Sequence, residues 1–188
     1  MDYIDTNLTN VEIALLEIIK ERSETTGYEI GQIIEERGYR EWANIGKTSI
    51  YAGIKKLGKK NYISIEHLKK RAGKGPVPNN IRLTKKGEFT LDEEIKKALL
   101  SQKNLPLYYL GIAGISLINK SVAIETLRQR EIIDQKTIEE ISYIFQKKGG
   151  NQLPLEAKAL FEHPILVLKS DIHFLNNLIK ELERKNHG

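Results

Sequence analysis

The residues of this 188-residue chain best equipped for chemistry are clustered. Lys47, Thr48, Ser49, Tyr51, Ala52, Lys55 and Lys56 fall in one stretch, and Lys69, Lys70, Arg71 and Lys74 follow in a second. Ammonium, guanidinium and hydroxyl groups at this density donate hydrogen bonds to anionic oxygens, and none of the hydroxyls has a visible base to make it a nucleophile. From Lys47 to Lys86 there are twelve basic residues against one acid, Glu66, a net of +11 in a chain whose total is +5. The positive charge is therefore local. One basic segment on an otherwise acidic chain implies a polyanion bound at one surface. A solvated lysine-rich helix is the plainer reading of a charge run, but this run coincides with a helix-hairpin pattern.

That pattern must position the cluster. Ile50, Ile54 and Leu57 fall at i, i+4 and i+7, one inward stripe of a helix. At about 100° per residue the opposite side carries Thr48, Ala52, Lys55 and Lys59, flanked by Ser49, Tyr51 and Lys56. Short side chains let such a helix approach base edges while lysines, serine and the tyrosine hydroxyl reach phosphates, as a recognition helix does. Asn61 stands where a left-handed residue would end the helix. Ile63 and Ile65, with His67, and then Ile81 and Leu83, alternate as two short strands. The Gly- and Pro-broken basic segment between them is expected to be an exposed wing. Upstream, Thr9 and Glu12 have capping-box spacing before an apolar helix, and Gly27-Tyr28-Glu29 opens a second helix that Gly38 closes. Downstream, Thr84 caps a helix running through Leu91, Ile95 and Leu99.

The set Gly27-Tyr28-Glu29, Ser49-Ile50-Tyr51 with Leu57, and Arg82-Leu83-Thr84-Lys85-Lys86-Gly87 with Leu91 resembles the PadR family of bacterial transcriptional regulators. The resemblance implies a mainly α protein: an N-terminal winged helix-turn-helix with a small two-stranded wing and a C-terminal long-helix dimerisation region. It places Ser49 and Tyr51 where the recognition helix meets DNA and Tyr28 where an aromatic residue supports the second helix. It also implies that some members sense aromatic compounds at the dimer interface; here Tyr108, Tyr109, Tyr143, Phe145, Phe161 and Phe174 could line such a site, or an ordinary core. Ile81, Gly58 and Asn61 depart from the family pattern, which bears on the wing.

Composition changes after Gln102, so the expected division is a DNA-binding domain over 1–102 and a helical dimerisation or effector domain over 103–188. Ser121 is expected to cap a long helix reaching Lys147, ended by Gly149-Gly150. Phe161, Ile165, Leu168, Ile172, Leu175, Ile179 and Leu182 alternate in steps of four and three, a coiled-coil seam that Pro164 starts or kinks. Packing of that seam on the chain's own long helix is the plain reading; a palindrome reader needs two heads, which favours a homodimer formed by this half.

Other chemistry finds little support. His67, His163, His173 and His187 are scattered without metal-ligand spacing, no cysteine is present for disulfides or thiolate sites, and Gly73-Lys74-Gly75 lacks the helix start of a phosphate loop. No cofactor and no enzymatic activity are expected. Trp42 is read first as a packing residue and otherwise as part of a small-molecule site. With no run of about 18 apolar residues and an acidic start, a cytoplasmic protein without a membrane span is expected. The expected partners are double-stranded DNA carrying a palindromic operator, a second copy of the chain, and a small aromatic effector that relieves repression. The competing expectation is a winged-helix adaptor whose basic face docks an acidic protein without DNA specificity.

Overall fold

A computed structural model describes residues 8–46, 49–67 and 79–184. The elements are α1 (Asn10–Arg22), α2 (Gly27–Glu36), α3 (Tyr39–Trp42), α4 (Ser49–Lys59), β1 (Ile63–His67), β2 (Asn79–Leu83), α5 (Lys85–Leu99), α6 (Leu105–Ala113), α7 (Lys120–Lys147) and α8 (Leu155–Arg184). They form two compact units, 1–119 and 120–188.

In the first unit α1 is the central post. Ile13, Ala14, Leu15, Leu16, Ile18 and Ile19 are all fully buried, which an amphipathic surface helix would not allow. The helix begins where the sequence puts it: the Thr9 hydroxyl accepts from the Glu12 amide, and the Glu12 carboxylate accepts from the Thr9 amide at 2.9 Å. Thr26 and Glu29 repeat the same box at the start of α2, a signal of identical spacing that the reading from Gly27 passed over. Gly38 (φ 66°) and Asn61 (φ 58°) occupy left-handed backbone at the two expected breaks. The Thr84 hydroxyl caps α5 by accepting from the Gly87 amide at 3.0 Å.

The two strands pair antiparallel with Ile63 opposite Leu83, Ser64 opposite Arg82 and Ile65 opposite Ile81. Ile63 and Ile81 are buried, so the apolar row faces the core while Ser64, Glu66 and Arg82 face outward. Thr25 adds a bridge on the far side of β2, its amide donating to the Ile81 carbonyl at 3.1 Å and its carbonyl accepting in return at 2.8 Å.

The division falls at 119/120, later than the composition change at 102. α6 packs on α5 and α1, with Tyr108, Leu110 and Gly111 buried, and belongs with the first unit. Its apolar sequence records burial against these helices. α7 begins at Lys120, so Ser121 lies inside the first turn and is not the cap.

In the second unit α7 and α8 form an antiparallel hairpin. Phe145 and Phe161 meet with ring centroids 5.5 Å apart near the connection, and Arg128 pairs with Glu183 at 3.0 Å toward the other end. Gly149 (φ 119°) and Gly150 (φ 54°) make the break between the helices. Pro164 lies within α8 and does not start it.

Candidate nucleic-acid interface

α4 is held by its inward residues. Ile50, Gly53, Ile54 and Leu57 are buried, and a Cβ at Gly53 would sit 2.6 Å from Leu15 Cδ1, so glycine is what lets α4 lie this close to α1. Consequently Tyr51 (69% exposed), Ala52, Lys55, Lys56 and Lys59 point away from the core. Ser49 is half-buried at the start of the helix, its hydroxyl donating to the Gly46 carbonyl. That use of its proton leaves the oxygen lone pairs to accept. Lys47 and Thr48, and the wing residues Lys69, Lys70, Arg71 and Lys74, lie outside the described residues.

Among the described residues, part of the charge of this region is compensated within the fold. Lys60 reaches Glu12 at 3.0 Å. Arg82 pairs with Glu24. The Lys86 ammonium donates to the Lys60 carbonyl at 3.0 Å and lies 4.8 Å from the Tyr62 ring centroid. Lys55, Lys56 and Lys59 form no ion pair among the described residues, so their charge is available to a ligand. Burial alone would raise the Glu12 carboxyl. The Thr9 amide and the Lys60 ammonium outweigh it and hold the group below its ordinary value, so Lys60 is a structural cation.

Tyr28 departs from its expected role as a support. It is 70% exposed, because α2 turns Ile30, Ile33 and Ile34 inward and residue 28 lies on the other side of that helix. Its hydroxyl accepts from Gln32 at 3.3 Å. Tyr51 leans on the first residue of α2, its ring 3.1 Å from where a Cβ at Gly27 would be. Tyr28 and Tyr51 thus stand as exposed phenols on the two helices of the helix-turn-helix. Trp42 is a packing residue: its indole N–H donates to the Arg37 carbonyl at 2.9 Å and its ring meets Tyr39 at 4.3 Å.

The seam residues Phe161, Ile165, Leu168, Ile172 and Leu182 are half-buried, and Leu175 and Ile179 are buried. The contacts from Phe161, Asn176 and Glu183 to α7 leave α8 from this side, so the stripe faces α7 of the same chain. Leu160 (77%), Leu166 (65%) and Phe174 (44%) are exposed on the other side of α8. Among the described residues no group of three His, Asp or Glu side chains is placed to hold a metal ion, and no described helix is long and apolar enough to cross a membrane.

A helix-turn-helix with an outward cationic second helix, followed by a two-stranded wing, defines the winged-helix class. Within it, residues 15–93 match the family model described as the transcriptional regulator PadR-like family. Similar solved structures include Bacillus subtilis PadR in complex with operator DNA (17% identity, TM-score 0.40, covering 92% of this chain and 98% of that one). Others are smu.1604c from Streptococcus mutans UA159 (21%, 0.41, 92% and 99%) and the PadR-like regulator BC1756 from Bacillus cereus (14%, 0.37, 94% and 99%). No curated protein matches the chain.

Proposed function

We propose that this chain is a sequence-specific DNA-binding regulator that acts as a homodimer, represses its targets and is released by a small aromatic effector. The observation that carries the reading is the outer face of α4. There Ser49, Tyr51 and the small Ala52 precede Lys55 and Lys56, two lysines that no described carboxylate neutralises. Small residues near the N-terminal end let the helix enter a major groove, and the cations beyond them meet the backbone on either side. Lys47 and Thr48 extend this face in sequence, and Lys69, Lys70, Arg71 and Lys74 are assigned to phosphate on their charge. Repression and an aromatic effector follow the family resemblance.

For the dimer, the exposed Leu160, Leu166 and Phe174 of α8, with Ile132 and Tyr143 of α7, offer apolar surface beyond the stripe used inside the hairpin. A second copy of this chain is the occupant we assign to it.

The test is a mobility-shift titration with the duplex lying beside the protein's own gene. Binding is expected to weaken steeply with salt, because each neutralised phosphate releases counterions. Lys55→Ala is expected to lower the salt slope by about one contact and to weaken all sequences alike, whereas Tyr51→Ala erodes preference for the specific site. Affinity insensitive to ionic strength would reject the assignment of this face.

A further inference from the structure

We propose that Glu24, an acid on the basic side of the first unit, is a positioning residue that fixes the β-hairpin relative to the recognition helix. The inference rests on the DNA-binding reading and goes beyond it. Asn80 and Arg82 are two apart on β2 and so project from the same, outward side of the hairpin. The Glu24 carboxylate takes both: one oxygen accepts from the Asn80 amide nitrogen, and the other accepts from Arg82 Nε at 2.9 Å and from a terminal guanidinium nitrogen. The next residue, Thr25, exchanges both backbone hydrogen bonds with Ile81, the residue between them. Thr26 then caps α2, and Gly27, the first residue of α2, carries the ring of Tyr51 from α4. A continuous series of contacts thus runs from the hairpin through Glu24 to the outer face of α4.

Two roles for Glu24 predict opposite signs. If it only neutralises Arg82, its removal adds a cation to the DNA face, and binding should tighten with a steeper salt slope. If it positions the hairpin, removal weakens binding although the face becomes more positive. Glutamine separates the two further. In Glu24→Gln the side chain keeps an oxygen for Arg82, and its amide nitrogen can donate to Asn80 once the Asn80 amide turns over, so the geometry survives without the charge.

The experiment compares full-length wild type, Glu24→Ala and Glu24→Gln on the duplex from beside the protein's own gene, across a salt series. Amide hydrogen exchange at Thr25 and Ile81 is followed without DNA. Positioning predicts about three- to tenfold weaker binding and faster exchange at both amides for Glu24→Ala, with Glu24→Gln within about twofold of wild type in both readouts. Equal behaviour of the two variants, or tighter binding by Glu24→Ala, overturns the proposal. Unchanged exchange in Glu24→Ala also overturns it, even should the wild type bind no DNA at all. That last result on wild type would instead count against the DNA-binding reading.

Discussion

Glu17 is buried in the first unit with neither carboxylate oxygen hydrogen-bonded. It lies against the corner after α6, where a Cβ at Gly114 would come within 2.7 Å of Glu17 Oε1. Burial pushes its carboxyl well above the ordinary value of 4.5. The folded chain therefore holds a proton that the unfolded chain releases, and stability contributed by the neutral form is lost as pH rises from about 4.5 toward the folded value. Glu17→Met removes that titration. The variant should gain stability over wild type as pH increases, read from urea midpoints at about pH 5 and about pH 8; parallel pH dependences would show that Glu17 is not protonated in the fold. The neighbouring phenol of Tyr39 is pushed up to about 12, by burial first and by Glu17 second, so it stays neutral throughout this range. Gly87 is a second residue whose identity is dictated by one contact. A Cβ there would lie 2.0 Å from the Tyr62 carbonyl oxygen, which itself accepts from the Thr84 amide at 3.0 Å. Gly87→Ala must separate α5 from the start of β1 and is expected to cost about 3 kcal/mol or more in denaturant unfolding.

At the scale of elements, the hairpin of α7 and α8 contains a buried ionic group. Arg130 and Asp134 are 2% and 0% exposed; Arg130 Nε donates to both Asp134 oxygens at 2.9 and 2.8 Å, and a terminal nitrogen lies 3.9 Å from Asp171. Burial raises the Asp171 carboxyl, Arg130 pulls it down and Asp134 pushes it up again. Arg130→Ala takes away the guanidinium that compensates Asp134 and is expected to destabilise the hairpin by about 3–5 kcal/mol. Thermal unfolding checks this, and a loss below about 1 kcal/mol would mean that Asp134 is compensated in another way. The elements themselves were readable where their signals are local. Thr9 with Glu12, Thr84, Gly38 and Asn61 mark boundaries through bonds to residues three or four away, or through φ. What depended on distant neighbours was not readable. The apolar run at Leu105 does not say that it packs on α5, and a 3–4 stripe on α8 looks the same whether its cover is α7 or another chain. The outward place of Tyr28 was readable, since Ile30, Ile33 and Ile34 already fix the inner face of α2. The candidate site was legible as a helical face. The Glu12 and Glu24 partners of Lys60 and Arg82 were hidden, because they lie 48 and 58 residues away in sequence.

For the whole molecule, the proposed function requires one recognition helix to be paired with a second before a palindrome can be read. In that reading a single α4 would cover one half-site, and a second copy related by a two-fold axis would match the other, one helical turn away. Within the stripe from Phe161 to Leu182, Leu175 and Ile179 are buried inside the hairpin, while Phe161, Ile165, Leu168, Ile172 and Leu182 are only half-buried. The outward Leu160 and Phe174 are available, at 77% and 44% exposure. Replacing both with glutamate introduces two charges into any interface built there, while the stripe that holds the hairpin stays intact. The double variant is expected to sediment as a monomer with near wild-type thermal stability. Its affinity for a full palindromic site should fall toward that for an isolated half-site, by about a hundredfold, since the second head no longer arrives at high effective concentration. A double variant that remains a dimer would move the interface elsewhere on the chain, and a monomer that keeps full affinity would mean that one copy reads the site alone.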